Sequence, residues 1–473
     1  MNSTILEAEE HVLSTLEKDG SRRWLRPKLS HGRLLTLRRV VAYFLIAVFT
    51  LVPFVQINGK PAVLLDIVRR KFTLLGYTFL PTDSLLLAVF AVGSLISIFL
   101  LTAFFGRVWC GWACPQTVYM EFVFRPIERL FDGTIGRGGQ PKSARSNAAL
   151  RWGFRYAVYA VICFYLANTF LAYFVGVDTL WQWVRQSPLT NPVPFLVVAF
   201  VTVAMMFDFC FFREQLCIIA CPYGRFQSVL LDRNSLIVAY DKHRGEPRGK
   251  AAKSRSVALP VLDSTVDPPA GDCVDCGLCV TTCPTGIDIR NGLQMECINC
   301  TQCIDACNTV MAKVGRPPNL IRYSSQATDA GEKFSLFRPR VVVYPVILTA
   351  LASVFLFLLI NKNYFDAVII RERGNPYTRM ENDLIRNVVR LKVTNRQDHP
   401  MSLTITPDRE DVLLGLAEPD FKLEASESRV FHLRADVADE VFKKGRLEVG
   451  LTIENDRKQK TKVRLQLLGP LGS

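Results

Sequence analysis

Hydropathy along the chain falls into long apolar blocks separated by polar segments. Five stretches are almost free of charge: VVAYFLIAVFTLVPFV (40–55), SLLLAVFAVGSLISIFLLTAFF (84–105), YAVYAVICFYLANTFLAYFVGV (156–177), VPFLVVAFVTVAMMFDFCFF (193–212) and VVVYPVILTALASVFLFLLI (341–360). Most approach the roughly 20 residues that a helix needs to cross a hydrocarbon core. The pattern predicts an α-helical membrane protein with five transmembrane helices, the last separated from the others by a long polar insert. Beyond the fifth span the period changes. VVRLKVTN, MSLTIT, RVFHLRA, RLEVGLTIEN and KVRLQLL read as short alternating strands, and in RLEVGLTI the apolar Leu447, Val449, Leu451 and Ile453 share one face. Residues 362–473 are therefore expected to form a C-terminal all-β sandwich of immunoglobulin-like type, without the cysteines of a true immunoglobulin domain.

Composition changes this picture little, but the placement of charge orients it. The chain is 49% hydrophobic and carries a formal net charge of +14. Its basic residues cluster beside spans, which speaks for topology rather than nucleic-acid binding. Arg22, Arg23, Arg26, Lys28, Arg33, Arg38 and Arg39 precede the first span, and Arg107, Arg125, Arg129, Arg137, Lys142, Arg145 and Arg151 follow the second. The loop DTLWQWVRQSPLTNP between spans three and four holds a single arginine and two tryptophans suited to an interfacial belt. The expectation is a bacterial inner-membrane protein with its N-terminus and insert cytoplasmic and its C-terminal domain periplasmic. The charged first 30 residues contain no apolar core of a signal peptide, so the first span is expected to act as anchor.

The domains expected are a cytoplasmic segment (1–39), four membrane helices with the first cysteine motif (40–212), a second cysteine motif and linker (213–269), an inserted ferredoxin domain (270–310), a linker (311–340), the fifth span (341–361) and the sandwich (362–473).

The insert carries the strongest chemical signal. GDCVDCGLCVTTCPTGIDIRNGLQMECINCTQCIDACN (271–308) contains the spacing C-x2-C-x2-C-x3-C twice. This is the bacterial two-cluster ferredoxin run, in which each [4Fe-4S] cluster takes three cysteines from one motif and the fourth from the other. Cys273, Cys276, Cys279 and Cys307 are thus assigned to one cluster, and Cys297, Cys300, Cys303 and Cys283 to its neighbour. A zinc ribbon would show two C-x2-C pairs across a longer gap.

Two further pairs stand at the ends of spans two and four. WCGWACPQT holds Cys110 and Cys114, and CIIACPYGRFQ holds Cys217 and Cys221, each as C-x-x-x-C-P followed by an amphipathic stretch. Both spans run in the same direction, so the pairs are expected to face each other at one membrane surface, as shared sites of repeated membrane modules do. Proline at the first helical position makes Cys114 and Cys221 expected N-caps, whose thiols the helix dipole would ionise more readily. One helical turn would put both sulfurs of a pair on one face. Such pairs could hold a soft metal ion, with copper(I) favoured by thiolates and zinc also admissible, or act as redox-active dithiols. Met205 and Met206 could add thioethers, although core packing explains them better. No dinucleotide fingerprint, P-loop or paired haem histidines accompany these cysteines.

WCGWACPQT, CIIACPYGRFQ, the double ferredoxin run and RERGNPY (371–377) together resemble the bacterial FixG/RdxA/CcoG family, accessory factors for assembly of cbb3-type cytochrome oxidase. The resemblance implies a membrane cupric reductase in which two [4Fe-4S] clusters carry electrons and the C-x-x-x-C-P cysteines Cys110, Cys114, Cys217 and Cys221 handle copper. The partners expected are copper ions, a cytoplasmic or quinol electron donor, oxidase assembly factors or copper chaperones, membrane lipid and a second copy of the chain in a homodimer. The alternative is a quinol-linked relay that feeds another redox protein and has no metal substrate of its own.

Overall fold

The computed structural model describes residues 14–16, 21–57, 59–68, 71–79, 83–133, 148–249, 271–332, 338–361, 365–371, 375–380, 383–397, 399–416, 421–425, 427–442 and 444–470. Five helical segments are long and apolar enough to cross a membrane: Arg33–Phe54, Ser84–Phe105, Ala149–Val175, Pro192–Phe212 and Pro339–Ile360. The chain is a multi-pass membrane protein. Helix α1 (Arg33–Leu51) opens the set and α2 (Ser84–Phe105) follows a small three-stranded sheet. Short helices α3 (Val108–Trp112), α4 (Pro115–Tyr119) and α5 (Arg125–Asp132) lead from α2 toward α6 (Ala148–Val175). Then come α7 (Val177–Val184), α8 (Pro192–Phe207) and α9 (Pro222–Leu230).

The expected duplication is visible in the backbone. α2 ends at Gly106 with φ 56° and ψ −128°, and the fourth span ends at Arg213 with φ 53° and ψ −123°. These residues stand at the same remove from Cys110 and Cys217. After each, the second cysteine leaves the helix in an extended conformation and a proline opens the next helix.

The ferredoxin lobe is larger than residues 270–310. Strand Ile237–Tyr240 pairs antiparallel with Ile321–Ser324, which lies in the supposed linker 311–340. Val238, Tyr240, Leu320 and Ile321 are buried in one core with the cluster cysteines. The linker expectation failed because its polar ends masked a four-residue strand whose partner is remote in sequence. Residues 250–270 of the preceding linker, 333–337, and 372–374 of the RERGNPY motif lie outside the described residues.

Residues Leu356–Ser473 form a second compact unit. Its β-sandwich pairs a sheet of order Val412–Leu416, Ser428–Ala438, Leu384–Asn395 and Phe365–Arg371 with one of order Lys422–Leu423, Met401–Pro407, Arg446–Asn455 and Lys460–Leu468. Leu447, Val449, Leu451 and Ile453 all enter its core, as their alternation predicts.

Candidate functional site: two cluster cavities against a cysteine-bearing membrane edge

The two ferredoxin motifs fold alike because the same backbone positions turn left-handed. Asp275 and Gly277 flank Cys276 with φ 49° and 65°, and Asn299 and Thr301 flank Cys300 with φ 53° and 63°. Gly, Asp and Asn tolerate this region, whereas a β-branched Thr301 does not adopt it without cost. Each loop thus wraps its thiols around a centre before a helix begins, Leu278–Thr281 in the first case and Gln302–Lys313 in the second.

Two apolar cavities result. One is lined by Cys283, Cys297, Cys300 and Cys303, the other by Cys273, Cys276 and Cys307, and Cys279 borders both. Each cavity therefore carries the four thiols of its expected set, including the one that crosses from the other motif. Among the described residues no three His, Cys, Asp or Glu side chains converge as a single metal ion would require. Thiols spread around a void fit a cubane held by its corners, and the residues present fit the two clusters. Burial pushes the thiols of Cys279 and Cys300 up to about 12 and those of Cys297 and Cys307 up to about 11. Neutralising such buried thiolates with iron is the chemistry this donor set favours. Cys276 alone of the eight is exposed, so the Cys273 cavity faces outward.

The other cavity lies against the membrane-edge motif. Cys110 is buried in one cluster with Ile298, Cys300 and Tyr223. Gly111 packs so tightly on the loop that a Cβ there would strike the Ile298 carbonyl and lie 2.9 Å from Cys300 N. Arg38, 1% exposed, donates from Nε to the Gly111 carbonyl at 2.8 Å. Arg107 donates to the Met295 carbonyl and Asn299 Nδ2 to that of Leu236 at 3.2 Å. α1 is tied in as well, because Leu34 and Leu35 donate their N–H groups to the Asp305 carboxylate at 3.3 and 2.7 Å.

The second motif reaches the first through α9. Gln227 accepts from the Cys110 thiol at 3.0 Å and donates to Tyr223 OH and Thr102 Oγ1 at 2.6 and 3.2 Å. Gln116 Nε2, just after Cys114, donates to Asp208 Oδ1 and the Arg213 carbonyl, both at 3.1 Å, ahead of Cys217. Cys114 and Cys221 are N-caps with proline following, as expected. Two expectations about them fail. Neither pair occupies one continuous helical turn: Cys110 sits inside α3 and Cys114 at its extended exit, while Cys217 lies in a wide i→i+5 turn before extended Cys221. Nor are the thiols of Cys110, Cys114 and Cys217 acidified. Burial raises Cys110 to about 11 despite neighbouring Arg107, and raises Cys217 to about 12 with Cys114 and Cys110 adding to the effect. Cys114 is raised too, although the N–H groups of Thr117 and Gln116 pull it down. Desolvation outweighs the helix terminus.

A buried ion network, unannounced by any motif, braces this edge. Arg125, 2% exposed, pairs with Glu121 and with Glu214 at 3.3 Å and donates to the carbonyl of Pro284, next to Cys283, at 3.2 Å. Arg213 holds Glu128 in a bidentate pair at 3.1 and 2.8 Å. The only hint in the sequence is charge at span ends, which topology alone would explain.

Comparison with known proteins agrees with this architecture. Residues 87–136 match the model of a 4Fe-4S binding domain, 212–326 that of a 4Fe-4S dicluster domain, and 355–470 that of an IG-like fold at the C-terminus of FixG. Protein RdxA of Cereibacter sphaeroides is 32% identical over 388 residues, covering 78% of this chain and 79% of its own. The chain belongs to the FixG/RdxA family. Nitrogen fixation protein FixG of Rhizobium meliloti is 30% identical over 433 residues, with 81% and 79% coverage. Ferredoxin-type protein NapH of Escherichia coli is 26% identical over 286 residues, covering 57% of this chain and 90% of NapH. As a member of the FixG/RdxA family, the chain is an iron–sulfur electron-transfer protein of the membrane.

Proposed function

We propose that this protein is a metal reductase that passes electrons to copper(II) at the C-x-x-x-C-P cysteines and supplies copper(I) for assembly of a cbb3-type oxidase. The observation that carries the reading is the packing of Cys110 and Gly111 directly on Ile298 and Cys300, which joins one cluster cavity to the cysteine edge. When bound, the two clusters supply one electron each, matching the single electron that converts copper(II) to copper(I). Entry at the outward cavity of Cys276 and exit at Cys110 orders the route. The chain's own part is to hold the ion: two thiols suffice for copper(I), which takes soft ligands in low number. Within this reading the N-terminus and ferredoxin lobe are cytoplasmic and the sandwich periplasmic, where it would meet assembly factors or copper chaperones.

The test is anaerobic mixing of dithionite-reduced protein with copper(II) and a copper(I)-specific chelator. Serine at Cys110, Cys114, Cys217 and Cys221 should abolish copper(I) formation while the visible absorbance of the clusters persists. An unchanged rate would assign these pairs another role and leave the relay, with quinol-driven cluster reduction independent of copper, as the better account.

A further inference from the structure

A cavity of about 530 Å³ lies beside the first cysteine motif, walled by Leu45 and Phe49 of α1, Leu166 and Phe170 of α6, and Met205 of the fourth span. Its size is that of a small-molecule site. Trp109 and Phe170 on its wall are 48% and 40% exposed, so it opens on the surface that the spans present to lipid. The wall is apolar except for Gln116, Tyr119 and Asp208, and the first and last of these are joined by a hydrogen bond. Asp208 is an ionisable group inside a span, the kind of residue that membranes retain for function. Its described hydrogen-bond partner is the amide of Gln116. The hydroxyl of Tyr119, a residue 9% exposed, is buried without a hydrogen-bond partner among the described residues. Ala113 and Pro115, also on the wall, flank Cys114.

The geometry points to a binding site for a lipid-soluble quinol, its ring against the Gln116 and Asp208 pair and its isoprenoid tail among the apolar walls. An acyl chain would need no polar end, and a water-soluble donor would not choose walls of leucine and phenylalanine. A quinol needs both, and a carboxylate to take its protons. Oxidation to the quinone breaks two O–H bonds. The first proton passes to Asp208, and the second follows once Asp208 has released the first to water. The two electrons would leave singly for the cluster sites by way of the Cys110 and Cys300 contact. A quinol would thus load the clusters from the membrane edge, whereas a soluble reductant would load them at the outward cavity of Cys276. This inference rests on the iron–sulfur reading of the chain and deepens its donor side; it does not rest on copper.

The test uses the full chain in quinone-free lipid nanodiscs with a photoreactive azidoquinone and, separately, decyl-ubiquinol. Label should map to residues 109–119, 166–170 and 205–209 and be competed by decyl-ubiquinol. Filling the cavity with Leu166→Trp, or with Met205→Phe should the first variant lose its clusters, should weaken labelling about tenfold or more. Asp208→Asn should keep labelling but slow anaerobic bleaching of the clusters by decyl-ubiquinol roughly 100-fold, the loss expected for a missing proton acceptor. Label elsewhere in the chain, labelling indifferent to the filled cavity, or a co-purified phospholipid chain that excess quinol does not displace would each overturn the inference. Dithionite bypasses this cavity, so copper(II) reduction by Leu166→Trp reports on the copper reading alone, and cavity labelling supports the quinol site whether or not copper is reduced.

Discussion

Gly111 and Ile298 touch with no room for a side chain between them: a Cβ on the glycine would collide with the Ile298 carbonyl. This contact fixes the spacing between the cysteine edge and the nearer cluster cavity. A branched side chain there must push the ferredoxin lobe away, since the obstacle is backbone and cannot swing aside. Gly111→Val should therefore retain its iron but transfer electrons to copper(II) roughly 100-fold more slowly, the scale that a misplacement of about 1 Å can cost. Cluster absorbance together with stopped-flow formation of copper(I) separates the two effects. A normal rate with intact clusters would show that electrons leave by another face.

The crossing cysteines make a second, sharper claim about assignment. Cys283 lines the cavity of Cys297, Cys300 and Cys303, and Cys307 lines that of Cys273 and Cys276. Cys307→Ala should remove the outward cluster and leave about four of about eight iron atoms. Cys283→Ala should remove the inner one and, on the proposed route, stop copper(II) reduction although the outer cluster is still reduced by dithionite. Iron analysis with electron paramagnetic resonance reads both. Loss of the same signal in the two variants would break the assignment.

The buried arginines predict a third effect. Arg125 is held by Glu121, Glu214 and the Pro284 carbonyl with almost no access to solvent. Arg125→Met would take from buried Glu121 its described ion-pair partner while Glu214 keeps Arg22 and Arg213, and losing one partner of a buried pair costs about 3–5 kcal/mol. We expect a lower unfolding temperature and easier loss of the cluster beside Cys283. The double variant Arg125→Met, Glu121→Leu should recover part of the stability, which a purely steric defect would not.

Much of this architecture was legible because it repeats short-range rules. The spans follow from apolar length, the strands from alternation, and the cluster cysteines from spacing that lies within single loops. What stayed hidden depends on contacts between segments far apart in sequence. Arg38, Arg107 and Arg125 read as topological charge at span ends, yet each is buried and donates to a backbone carbonyl, Arg38 on the membrane-edge loop and the other two on the ferredoxin lobe. Strand Ile321–Ser324 reads as linker until Ile237–Tyr240 is beside it. The thiol of Cys114 reads as acidic from its place at a helix N-terminus, and only the packing around it reverses the sign.

That reversal has a measurable pH signature. With Cys110 near 11 and Cys217 near 12, and Cys114 also raised, these three metal-free thiols are protonated at neutral pH. Binding copper(I) to two thiols must release two protons, so affinity should climb up to about a hundredfold per pH unit between pH 6 and 8. Competition with a copper(I) chelator whose own titration is known would measure that slope, and a flat profile would mean that thiolates are not the ligands. The same shifts set the stability of the metal-free edge. A thiol whose folded value lies above its unfolded one binds more protons when folded, so its favourable contribution is complete below the unfolded value near 8.5 and declines as pH rises toward 11 and 12. Unfolding of metal-free protein should become easier across that alkaline window. Cys110→Ser with Cys217→Ser should flatten the decline, because neither hydroxyl ionises there.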